Sequence, residues 1–214
     1  QILVKQRNNF SISPFSFTVD SDANVNIPFM RFEDTENISI SITTSGMGNN
    51  HATFTTSADL WSDDWVGTRL LVADKQWVIE SVSNARLAIA YTNQEIILPQ
   101  TPIKQWWESA FGANRGWPMT VAFHQNRLVF GGTPSAPNNI WMSKTGDYRN
   151  FDVGTGLDDD AIFTALLSSQ HNQISNIVST ETLQILTSIG EWAISNAPLT
   201  PSNIDIKQHT SVGS

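Results

Sequence analysis

The densest carboxylate cluster in this 214-residue chain is Asp158-Asp159-Asp160. Grouped carboxylates can ligate a divalent cation through oxygen, or serve as the acid and nucleophile of glycoside hydrolysis. Three consecutive side chains do not converge on one point of a strand, however, because neighbours alternate faces. No second acidic cluster stands where it could complete a pair. The expectation is therefore a solvated, turn-forming acidic loop, with a cation site and a glycosidase as the alternatives. The four histidines, His51, His124, His171 and His209, share no metal-ligand spacing and read as loop or surface residues. Cysteine is absent, which removes disulfides, thiolate zinc sites and a cysteine nucleophile. Gly131-Gly132 runs into Thr133-Pro134, which is turn chemistry rather than a phosphate cradle, and no Gly-x-Ser-x-Gly elbow occurs. No enzymatic activity, cofactor or metal is expected.

Tryptophan is the other residue type that could carry function. Trp77, Trp141 and Trp192 fall inside strand-like runs and are expected in the core, while Trp65 opens a turn with Val66 and Gly67. Trp106 and Trp107 are adjacent, so their rings diverge on any regular element, and one of the two is expected to meet another domain or subunit. Exposed coplanar indoles beside Asn and Gln would instead build a carbohydrate- or receptor-binding module. Charge narrows the partners. Twelve basic and 20 acidic residues leave a net charge of −8, which argues against a sequence-blind nucleic-acid binder. Only 15% of residues are charged, whereas Ser, Thr, Asn and Gln number 72, a composition suited to strands and turns. No stretch approaches the roughly 20 apolar residues that span a bilayer, so no membrane partner is expected. The chain starts at Gln1 and stops at Ser211-Val212-Gly213-Ser214 without a finishing element, as a piece of a longer protein would.

The elements that must hold these residues are strands nearly throughout. Ile38 to Thr43 alternates strictly, Gly46 to Asn50 breaks it, and His51 to Thr55 resumes. Thr68–Val72, Gln76–Val82 and Leu87–Tyr91 follow at short spacing, suggesting a small β-barrel or sandwich over residues 52–100. Residues 1–51 form an amino-terminal β segment with no assigned place. Residues 101–117 read as a linker, with a short helix predicted from Pro102 to Phe111 because Gln, Glu and Ala are helix formers. From 118 to 214 the pattern repeats. Thr120–Phe123, Arg127–Phe130, Asn139–Ser143 and Ala161–Leu166 are matched by Ile174–Val178, Thr182–Leu186, Glu191–Ser195 and Asn203–Lys207. Leu128 and Leu183 are 55 residues apart, Trp141 and Trp192 51, and Ile162 and Ile204 42. Four antiparallel strands recurring at such a period are the signature of propeller blades, and a closed ring needs roughly four to eight of them. The expected fold class is all-β: a small β-barrel or sandwich domain, then a partial β-propeller of two four-stranded blades, with little helix. Further blades, or another structure, would have to close the ring.

One ordered set of motifs goes beyond pattern. It starts at Trp107-Glu108-Ser109-Ala110-Phe111 and Arg115-Gly116-Trp117-Pro118, then continues through Val121-Ala122-Phe123-His124-Gln125-Asn126-Arg127-Leu128-Val129-Phe130-Gly131-Gly132-Thr133. Pro137, Ile140-Trp141-Met142-Ser143, Gly146-Asp147-Tyr148, Asn150-Phe151-Asp152 and Leu157 to Ile162 follow in order. The series resembles the tail tubular or nozzle proteins of short-tailed, podovirus-like bacteriophages and prophages. The likeness spans Ala52 to Ser214, is most specific from Trp106 to Ala161, and leaves residues 1–51 unmatched. It implies a homo-oligomer, hexameric in that family, placed in the virion tail below the portal and its adaptor after assembly in the host cytoplasm. Each subunit would carry a propeller around a lumen through which DNA is ejected without being specifically bound. The matched motifs bring no catalytic residues with them. Trp106, Trp107, Asp158, Asp159 and Asp160 are the residues expected at interaction surfaces.

Overall fold

The strand-period alternation is realised in three sheets and a hairpin. A computed structural model describes residues 2–6, 9–48, 50–167, 172–211 and 213, and 43% of the chain is strand against 2% helix. Strands β1 (Ile2–Gln6) and β2 (Asn9–Ser13) form the hairpin. Next come β3 (Phe29–Met30), β4 (Ile40–Thr44), β5 (His51–Thr56), β6 (Arg69–Val72), β7 (Lys75–Asn84), β8 (Leu87–Tyr91) and β9 (Trp106–Ser109). They make one seven-stranded sheet in the order β3-β9-β6-β7-β8-β5-β4. Two four-stranded sheets follow, each in sequence order. The first holds β10 (Thr120–His124), β11 (Arg127–Gly131), β12 (Asn139–Met142) and β13 (Ile162–Ala165). The second holds β14 (Ile174–Ser179), β15 (Leu183–Thr187), β16 (Gly190–Ile194) and β17 (Ile206–Thr210).

The seven-stranded sheet curls into a half-barrel. Alternate residues point inward, so Ile40, Ile42, Phe54, Leu70, Val72, Trp77 and Ile79 share a core with Trp61, Trp65 and Trp106. A backbone bridge between Ile40 and Ile103 ties edge strand β4 to the segment entering β9, which draws the sheet round. The sheet takes strands from the 1–51 and 101–117 stretches as well as from 52–100. The helix predicted from Pro102 to Phe111 is absent; β9 occupies that place, and the short 3-10 turn Asp63–Trp65 is the helical element of the described chain. Local propensity loses here to pairing. Strand β9 bonds β6 on one side and β3 on the other, and the Trp106 indole N–H donates to the Ile38 carbonyl at 2.7 Å.

The sequence repeat reappears as a register repeat. Val121, Phe130, Trp141 and Phe163 lie side by side across the first four-stranded sheet, and Ile177, Ile185, Trp192 and Gln208 do so across the second. Trp141 thus corresponds to Trp192, and Leu128 to Leu183. The fourth strand of the second set differs from the expected Asn203–Lys207, because Asn203 is held in a turn by Thr200 and Pro198. Ile162 accordingly matches Lys207, and Ile204 lies ahead of the strand. The two sheets stack with β10 beside β14. Val129, Ile140, Met142 and Ile162 pack on Ile174, Ile177, Leu183, Ile185 and Trp192. Gly131 permits that approach, since a Cβ there would collide with Ile177 and Thr120. The opposite face of the first sheet, at Leu128, Phe130 and Trp141, is packed by Phe15, Phe17, Met30, Phe32, Phe111 and Phe151.

Candidate functional site

The acidic loop is built around its last residue. Asp160 is buried, and its Oδ1 accepts from Lys144 Nζ at 2.8 Å. Its Oδ2 accepts the backbone N–H groups of Thr155, Gly156 and Leu157 at 3.1, 3.0 and 2.9 Å. Chiefly through Lys144, these donors hold the Asp160 carboxyl below the usual carboxylate range, and the same contact raises Lys144. Asp158 and Asp159 face solvent. The main chain of the loop is clamped by the fully buried Arg127, whose Nη1 donates to the carbonyls of Ser143 and Asp160 and whose Nη2 donates to that of Asp158. The three carboxylates therefore diverge, and the buried one spends its oxygens on protein donors. Among the described residues, no three His, Asp or Glu side chains are grouped as metal ligands.

The tryptophan pair splits as adjacency requires. Trp106 is buried in the half-barrel, and Trp107 stands on the outer face of β9 beside Leu71 of β6. Trp107 and Leu71 form one wall of a cleft of about 640 Å³. Residues of the first four-stranded sheet line it as well: Phe163 stacks on Trp141 with centroids 5.9 Å apart and planes 16° from parallel. Residues 24–31 form the floor, pinned where Gln76 accepts the Val25 N–H at 2.9 Å and donates to the Val25 carbonyl at 3.0 Å.

A second concavity is wider and more apolar. About 1240 Å³ in volume, it runs along β10 between Phe15, Trp117, Met119 and Tyr148. Trp117, Val121 and Phe123 in it are 64%, 58% and 60% exposed. Contiguous apolar surface of this kind makes the groove a candidate interaction site.

Two polar features escaped the sequence reading. Glu108 is fully buried in β9 and accepts Arg115 Nε at 2.8 Å and Nη2 at 2.7 Å, while Arg115 reaches Asp34 at 2.8 and 3.0 Å. Thr35 and Asn114 donate to the same carboxylate, and the guanidinium lies 3.9 Å over the Phe32 ring. Burial pushes the Glu108 carboxyl up while Arg115 pulls it back. For Arg115 the two carboxylates outweigh the cost of burial and hold the guanidinium charged. His124 joins the four-stranded sheets. The Gln125 amide, oriented by accepting the Leu199 N–H and donating to the Asn196 carbonyl at 2.7 Å, lies 3.4 Å from His124 Nε2, and His124 Nδ1 lies 2.9 Å from Ser179 Oγ. Burial pulls His124 below the usual histidine range. His51 lies 3.2 Å from Glu80, His209 is exposed, and His171 falls outside the described residues. No signal in residue order pairs Glu108 with Asp34 or His124 with Ser179, since each pairing depends on a sheet contact distant in sequence. No protein-family model matches this chain, and no curated protein matches it significantly.

Proposed function

We propose that this chain is a structural component of a virion tail, part of a ring-shaped nozzle that conducts DNA below a portal and adaptor. The observation that carries the reading is the apolar groove along β10, a surface that a neighbouring subunit would cover. Two further features support it. The motifs from Trp107 to Ile162 resemble those of nozzle proteins, and the paired four-stranded sheets are read as blades of a β-propeller. The mechanism is geometric and non-enzymatic. A closed ring repeats one interface around its axis, and a net charge of −8 on every copy suits a lumen that does not grip phosphates. Co-expression of the full gene product with the portal and adaptor proteins of its own genome, followed by negative-stain imaging, tests it. Rings seated on the adaptor are expected, and particles without a ring overturn the reading.

A further inference from the structure

The ring reading gives no task to the cleft between Trp107 and Phe163. We propose that this cleft binds a neutral saccharide, with the C–H face of a sugar ring on the aromatic walls and its hydroxyls on the polar rim.

Four observations point to that chemistry. The first is the pair of walls. Phe163 lines the cleft, is 44% exposed, and has its ring plane held by stacking on Trp141. Trp107 is only partly buried and stands on a paired strand, so neither ring has to be ordered by the ligand. The second is unspent hydrogen-bonding capacity. Among the described residues the Asp74 carboxylate, on the turn between β6 and β7, has no protein partner. Arg31 commits one nitrogen, Nη2, to the carbonyls of Glu36 and Lys104, leaving its other nitrogens as donors. Sugar hydroxyls both donate and accept, and so can use both groups.

The third is the sign of the rim. Asp20, Asp74 and Asp152, the last paired with Lys144 at 3.4 Å, leave a net excess of carboxylate over Arg31, which disfavours nucleotides, phosphates and acidic sugars and is compatible with neutral ones. The fourth is size and stiffness. The cleft lies within the ~300–1,000 Å³ of small-molecule sites, and the double hydrogen bond between Gln76 and Val25 fixes its floor before any ligand arrives.

Saturation-transfer NMR and calorimetry on the 214-residue chain, with neutral gluco-, galacto- and manno-oligosaccharides as probes, test the assignment. Transfer to sugar-ring protons is expected for at least one probe, with no binding of glucuronate or inorganic phosphate. Trp107→Ala and Phe163→Ala should each weaken that binding about tenfold or more, the scale of a lost aromatic anchor. Asp74→Asn, on an exposed turn and without packing consequences, should weaken it about threefold, as loss of one hydrogen bond does. Trp117→Ala, in the apolar groove, should leave it unchanged. Silence from every neutral probe overturns the proposal. So does binding indifferent to Asp74→Asn and Phe163→Ala, or displacement of the sugar by an extended peptide. Ring formation with portal and adaptor is a separate readout, so either idea can fail alone.

Discussion

At the scale of single residues, two buried charges settle how this chain uses its ionisable groups. Asp160 is a loop clasp, and its depressed pKa gives it a definite pH signature. The stabilisation is whole above its unfolded value of about 3.9 and disappears as pH falls through the lower folded value. Asp160→Asn should cost about 1–3 kcal/mol in urea denaturation at pH 7, the penalty for leaving donors unmatched. The difference from the parent should shrink toward pH 3. The Glu108–Arg115–Asp34 network yields an ordering. Glu108→Ala leaves the buried guanidinium with the exposed Asp34 as its remaining carboxylate and should cost about 3–5 kcal/mol. Asp34→Ala, whose side chain is 66% exposed, should cost under about 1 kcal/mol. Equal losses in chemical denaturation would contradict that account. Residue order placed Asp158–Asp160 in a loop, but it could not assign Asp160 its donors. Lys144 and the three N–H groups are brought together only by the path of the main chain around Arg127.

At the scale of elements, alternation was the legible signal and pairing the illegible one. Strands β4 to β8 and β10 to β16 are visible as apolar-polar alternation or short apolar runs bounded by turns. The β10–β11 turn is written in Gln125-Asn126, both at positive φ as a two-residue hairpin demands. Strand β9 was illegible because four residues of Trp, Trp, Glu and Ser carry too little alternation to outweigh the helix formers around them, and β6 and β3 decide the matter. The joint between the four-stranded sheets makes a further prediction. His124 is neutral in the fold and has a depressed pKa, so its contribution is complete above the ordinary histidine value of about 6.5 and declines as pH falls below it. Thermal unfolding should show the midpoint dropping between pH 7.5 and 5.5, and His124→Gln should flatten that drop.

At the scale of the whole molecule, the stack of two sheets is directional. Its far face, at Val178, Gln184 and Lys207, is largely polar, whereas the near face opens as the apolar groove of Trp117, Val121 and Phe123. Phe123→Asp should leave the melting temperature of the isolated chain within a few degrees, because the ring is 60% exposed and its edge contact is with the exposed Tyr148. It should also reduce association measured by light scattering; unchanged association would remove the groove from any interface. By itself the sequence determined the all-β class, the four-strand repeat and the acidic, hydroxyl-rich surface, since alternation, turn residues and charge are local or additive properties. Only the tertiary structure decided that the half-barrel recruits β3, β4 and β9, that Trp106 turns inward while Trp107 walls a cleft, and that Asp160 is clasped rather than offered to solvent. Each of those outcomes depends on contacts between segments distant along the chain, and the free energy of such a contact exists only once the sheets have met.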